Sequence, residues 1–104
     1  MKIECECGNL IHDGTDDLPH KAHFIPDQSW NALFDKIDDL IEHRCATAAQ
    51  RNAACTKLRT LVGEVARQAW QCSSCGRIYA DDATRKLNAY APDPGAAHAL
   101  FRKG

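Results

Sequence analysis

The spacing of apolar positions changes twice along the chain. Ile3, Cys5 and Cys7 alternate with Lys2, Glu4 and Glu6, the period of a half-buried strand. Gly8-Asn9 supplies a turn and Leu10-Ile11 begins a second strand, so residues 2–13 read as a short hairpin. After the polar, breaker-rich loop Gly14–Pro19, His20–Ile25 reads as a strand ended by Pro26. From Asp27 the period becomes helical. Trp30, Leu33, Phe34, Ile37, Leu40 and Ile41 fall on one face, and Asp35, Lys36, Asp38, Asp39 and Glu42 on the other. This predicts an amphipathic helix with Asp27 as its N-cap and the apolar stripe in the core.

The stretch from Cys45 to Cys55 contains no Gly or Pro, and Cys55, Leu58, Leu61, Val62, Val65 and Ala69 extend the helical stripe. One helix over 28–69 would be about 60 Å long. A monomer of 104 residues has nothing to cover it, so that alternative implies dimerisation through the helix. Two helices folded back on each other are expected instead, the second starting near residue 48 behind the capping box Thr47-x-x-Gln50. Gly63 falls mid-helix, where it costs about 1 kcal/mol relative to Ala. Beyond the helices, Arg77–Ala80 and Lys86–Ala91 read as two strands joined through a turn at Asp81-Asp82. Pro92-Asp93-Pro94-Gly95 stops regular structure, and the last residues read as a helical turn or a mobile tail.

Candidate chemistry sits in the thiols. Cys5-Glu6-Cys7-Gly8 and Cys72-Ser73-Ser74-Cys75-Gly76 are two paired-thiol turns, each closed by glycine. Backbone N–H groups in such turns point at the sulfurs and stabilise their negative charge. Four sulfurs are the number a tetrahedral structural zinc needs, and Cys5, Cys7, Cys72 and Cys75 are the expected ligands. His12 is an alternative ligand. His20 and His23 would share a second metal only in a helix or turn, since a strand sets them on opposite faces. Cys45 and Cys55 read as small apolar core residues, because nothing local activates either thiol. The start of the chain lacks the apolar run of a signal peptide, and no run approaches a membrane span, so a cytoplasmic protein is expected. In that compartment cysteines argue for metal before disulfides. With aromatic residues at only 7%, a metal staple would help a modest aliphatic core.

Trp70, the second thiol turn and the following Gly76-Arg77-Ile78-Tyr79 resemble the second knuckle of a zinc ribbon, a family in which two knuckles on two hairpins clamp one zinc. The resemblance covers residues 2–13 and 70–91; the first knuckle, Cys5-x-Cys7, is one residue shorter than usual. It implies Zn2+ as the metal, although four thiolates also suit iron in the rubredoxin manner. The fold class expected is α+β, with zinc-ribbon-like hairpins joined by an inserted helical hairpin. One domain over 1–104 would hold a first knuckle with strands (2–26), the helical insert (27–69), a second knuckle with hairpin (70–91) and a tail (92–104).

Function is less legible than fold. Four thiolates leave a metal no open position, and the chain has no phosphate loop, nucleophile motif or HExxH-type helix, so an enzyme is not expected. Charge is uneven: residues 1–42 carry ten acids against three lysines (−7), while residues 43–104 carry ten bases against four acids (+6). The two halves partly neutralise each other on packing, or an acidic face attracts a basic partner. The expectation drawn is a protein-binding module, an adaptor, inhibitor or immunity-type protein, docking through Asp35, Asp38, Asp39 and Glu42. The alternative is a nucleic-acid-binding or transcription-associated protein using Arg51, Lys57, Arg59, Arg67, Arg77, Arg85 and Lys86. The pattern leaves the oligomeric state open.

Overall fold

Strand pairing begins at the first residues. In the computed structural model, which describes all 104 residues, β1 (Lys2–Glu4) pairs antiparallel with β2 (Leu10–His12), Ile3 opposite Ile11. Both isoleucines face inward and are buried. A second sheet holds β3 (Lys21–Phe24), β4 (Arg67–Gln71), β5 (Ile78–Asp81) and β6 (Leu87–Tyr90), all antiparallel in that order. The β5–β6 turn is fixed by Asp82, whose carboxylate accepts from the Thr84 hydroxyl, the Asn88 amide and the Lys86 and Thr84 N–H groups. These contacts hold the Asp82 carboxyl well below its usual range. Between β3 and β4 come two helices, α1 (Asp27–His43) and α2 (Ala48–Val65). The class is α+β with a helical hairpin inserted between strands, as expected.

The chain divides into two compact units: a β unit of residues 1–24 and 67–104, and a helical unit of residues 25–66. The β unit has the one sizeable core, built from Ile3, Cys5, Ile11, Trp70, Cys72 and Tyr79, with Cys75 and Leu87 packed against it. Asp13 braces this core from the edge. Its carboxylate accepts from Lys21 Nζ at 2.7 Å and from the Trp70 indole N–H at 2.9 Å. Lys21 also lies 5.5 Å from the Trp70 ring centroid, a cation–π contact.

In the helical unit, α2 starts where the capping box placed it. The Gln50 N–H donates to Thr47 Oγ1 at 3.1 Å, and Gln50 Oε1 accepts from the Thr47 and Ala46 N–H groups. Three expectations about this region need correction. Asp27 is the first helical residue rather than the N-cap; Pro26 takes that place and no side chain caps the helix. The carboxylate of Asp27 still sits at the positive end of the helix dipole. The insert ends at residue 66 instead of 69, and Arg67–Ala69 begin β4. No Gly or Pro marks that boundary; tertiary pairing overrides it, because β4 is an inner strand with partners on both sides. The third correction concerns burial. Within the helices only Leu33 and Leu61 of the predicted stripe are buried, together with Ala54, whereas Trp30, Phe34, Ile41 and Val62 are exposed; Ala69 is buried, but in β4. Cys45 is half-buried and Cys55 exposed, so Cys55 is not a core residue.

Candidate metal centre

Both thiol turns are shaped by hydrogen bonds that the glycines make possible. In the first, the Gly8 N–H donates to the Cys5 carbonyl at 2.9 Å and the Cys5 N–H to the Asn9 carbonyl at 2.9 Å. In the second, the Gly76 N–H donates to the Cys72 carbonyl at 2.8 Å and the Cys72 N–H to the Arg77 carbonyl at 2.9 Å. Gly8 and Gly76 close them at φ +93 and +80, a backbone region that side chains disfavour. At Gly76 a side chain would also strike the His98 ring, at 2.6 Å.

These turns bring Cys5, Cys7, Cys72 and Cys75 together, their four sulfurs within 4.8 Å of one another. Contacts run between the turns: Cys5 Sγ lies 3.5 Å from Cys75 Sγ, and Cys7 Sγ 3.6 Å from Cys72 Sγ. A tetrahedral ion with sulfur bonds of about 2.3 Å requires sulfur–sulfur spacings of about 3.8 Å, so the donor set fits such an ion. It is far too open for a disulfide, and all six cysteines are free thiols. Cys5 and Cys72 are buried, Cys75 half-buried and Cys7 exposed. One side of the cluster is therefore walled by the core and the other faces solvent.

The surrounding groups favour negative sulfur. Burial raises the Cys5 thiol, but hydrogen bonds from the Tyr79 hydroxyl, the Cys7 N–H and the neighbouring thiols outweigh it and lower the pKa to about 6. Burial likewise opposes ionisation of Cys72, and the Cys75 N–H, the Asn9 amide and the Ser74 N–H bring its pKa below the usual value. The Asn9 amide donates to Cys72 Sγ at 3.4 Å, one turn supporting the sulfur of the other. Cys75 goes the opposite way. The Arg77 N–H lowers its pKa, but burial and the three neighbouring sulfurs raise it to about 11. A cluster with two stabilised thiolates and one reluctant thiol must release protons on binding a metal. Arg77 sets its guanidinium 3.2 Å from Glu6, and the Glu6 N–H donates to the Tyr79 hydroxyl oxygen, which ties β5 to the first turn.

Gln71 was not singled out in the sequence. It is the one fully buried polar side chain, 2% exposed. Its amide donates to the Gly76 carbonyl at 3.1 Å and the Ala97 carbonyl at 2.7 Å, and its oxygen accepts from the Leu100 N–H at 2.8 Å. The C-terminal segment is thereby pinned beside the second turn, with no regular element of its own. Asn9, Tyr79 and Gln71 could be found only by their neighbours in the fold; in the sequence they are ordinary turn and strand residues.

The histidines stand outside the cluster. His20 Nε2 pairs with the His12 carbonyl at 2.7 Å, and His23 lies exposed on β3. Asp35, Asp38, Asp39 and Glu42 are all exposed along α1. The polar contacts there are local, with His43 Nε2 3.9 Å from Asp39 and 3.7 Å from Glu42. Neither helix is long and apolar enough to cross a membrane. Among curated proteins and solved structures nothing matches the chain. Residues 1–94, which hold both thiol turns and both helices, match a family described as a domain of unknown function (DUF8617), and the chain belongs to it.

Proposed function

We propose that the four cysteines hold one structural zinc ion and that the protein is a non-enzymatic, protein-binding module stapled by it. The observation that carries the reading is the gathering of four sulfurs, from opposite ends of the chain, within 4.8 Å. Two glycine-closed turns on two hairpins, with Trp70 and Tyr79 packed behind them, are also what the zinc-ribbon resemblance implies. Zinc is preferred to iron because it is the metal that the zinc-ribbon resemblance implies for such a closed set. Bound, the ion would draw the remaining thiol protons off; Cys5, Cys7, Cys72 and Cys75 would be its ligands and Asn9 and Tyr79 their supports. The partner side rests on α1, where Asp35, Asp38, Asp39 and Glu42 form an exposed acidic edge suited to a basic protein. Nucleic acid is the second choice, since one of the basic residues invoked for it, Arg77, is spent on Glu6.

Elemental analysis of protein purified without added metal is expected to give about one zinc per chain. Iron in its place, or no metal with oxidised Cys5 and Cys7, would overturn the reading. For the partner, Asp39→Lys with Glu42→Lys should leave stability nearly unchanged and slow association, most at low salt. Loss of stability with binding intact would assign the acids to the fold.

A further inference from the structure

The exposed apolar residues of the helical unit are not scattered. At 3.6 residues per turn, Trp30, Phe34 and Ile41 fall within about 40° of one another on α1. They lie about 75° around the helix from the face that Leu33, Ile37 and Leu40 turn inward. On α2, Cys55 and Val62 lie about 80° around in the same sense from the inward face of Ala54, Leu58, Leu61 and Val65. In two helices folded back antiparallel, rotations of the same sense bring both flanks to one side of the hairpin. The other side is polar: the shallow groove there is lined by Asp39, Leu40, Arg44, Gln50, Ala53, Ala54 and Lys57. The apolar side exposes Trp30 at 46%, Phe34 at 45%, Ile41 at 59% and Val62 at 38% of their surface. Trp30 and Phe34 meet edge to face with centroids 4.9 Å apart, forming a ridge.

We infer that this side is covered by a second copy of the chain, the two helical units closing into an antiparallel four-helix bundle. Charge identifies the occupant. On the apolar side α1 presents Asp27 and Asp38 and no base, whereas α2 presents Arg51 and Arg59 and no acid. A two-fold axis parallel to the helices sets α1 of one copy antiparallel on α2 of the other, acid over base, twice. Arg51 then comes within one turn of Asp38 of the other copy, and Arg59 within two turns of its Asp27, at the edges of the contact. The surface is of the right size. The exposed apolar groups amount to on the order of 400 Å² per copy, about half of the 800 Å² that a standard interface takes from each partner, with a polar rim supplying the rest. The need is also physical, because a helix pair with so few buried side chains is marginal alone. Every residue involved lies in 25–66, so the inference stands apart from the metal reading, and Asp39 and Glu42 stay clear of the contact.

Sedimentation velocity on the metal-loaded full chain tests it. The expected result is a two-chain species at tens of micromolar. Phe34→Glu with Ile41→Glu should weaken self-association at least tenfold while metal content and helical circular dichroism stay unchanged. Because a double substitution of this kind can also unfold the unit, a charge exchange provides the second arm. Asp38→Lys, and separately Arg51→Glu, should each shift the protein to single chains, and an equimolar mixture should restore the two-chain species. Single chains of the unmodified protein at several hundred micromolar would overturn the inference. So would a dimer that survives Phe34→Glu with Ile41→Glu, a mixture that does not recombine, or a different protein bound to this side of single chains.

Discussion

The two tryptophans of this chain have opposite fates, and they summarise its two units. Trp70 is 2% exposed, with its indole N–H on Asp13 and its ring in the core behind the thiols. Trp30 is 46% exposed on a helix whose apolar arc is wider than one neighbouring helix can cover. The β unit achieves its core with few large side chains because thiols from both ends of the sequence converge on it. The helical unit has the stronger apolar periodicity and the poorer core. A periodic stripe therefore announces that a face will be covered without stating by what. Here the stripe is wider than its own unit covers, which leaves Trp30, Phe34, Ile41 and Val62 exposed.

The largest effect expected from separating the units is metal removal. Structural zinc contributes on the order of 10 kcal/mol of apparent folding free energy in small modules, so a chelator, or Cys5→Ser or Cys72→Ser, should unfold the β unit. Near-ultraviolet circular dichroism should report it through the loss of the packed Trp70 environment. If that signal survives full metal loss, the sulfur cluster is not what holds the hairpins together.

A matched pair of substitutions sharpens the contrast. Trp70→Ala should destabilise by about 3–5 kcal/mol, the range for deleting a buried aromatic. Trp30→Ala should cost much less in dilute denaturant titrations, where single chains prevail. Equal losses would mean that Trp30 is covered within the single chain.

Next comes the Asp13 brace. The Lys21 hydrogen bond holds its carboxyl below the ordinary 3.8 despite burial, and the Trp70 N–H adds to this. A carboxyl depressed on folding stabilises the native state at pH above its unfolded value and loses that contribution as pH falls through the folded value. Asp13→Asn should therefore cost about 2 kcal/mol at neutral pH, the scale of a charged hydrogen bond. The gap between the two chains should narrow as pH drops below about 4. A gap that does not depend on pH would assign the loss to shape rather than charge.

The smallest effects belong to the helical unit. Thr47→Ala removes the capping box and should cost about 1 kcal/mol. Cys55→Ser, at an exposed position, should change neither metal content nor the stability of single chains.

What the sequence revealed and concealed follows the range of the interactions. The sulfur cluster was legible because Cys5, Cys7, Cys72 and Cys75 come as two close pairs, each with its own glycine, and pairing the pairs needs no knowledge of the path between them. The capping box was legible because Thr47 and Gln50 meet within one turn. The start of β4 was not, since Val62, Val65 and Ala69 keep helical phase across a boundary that only the neighbouring strands impose. Nor was the pinned C-terminal segment, which depends on Gln71 reaching residues 97 and 100. The supports of the sulfurs, Asn9 and Tyr79, were hidden for the same reason: each acts on a thiol roughly 65 residues or more away in the chain.

The placement of the insert has a mechanical meaning. The chain leaves β3 at Phe24 and enters β4 at Arg67, and those two residues sit opposite each other in the sheet. With an ion joining Cys5 to Cys75, tension applied at the two termini runs from the first strand through the sulfur bonds and out along the last hairpin. Everything between, the helices included, lies off the load path. Stretched by its ends, the protein would resist at the metal, and the forty-odd residues of the helical unit would feel nothing until a sulfur bond let go.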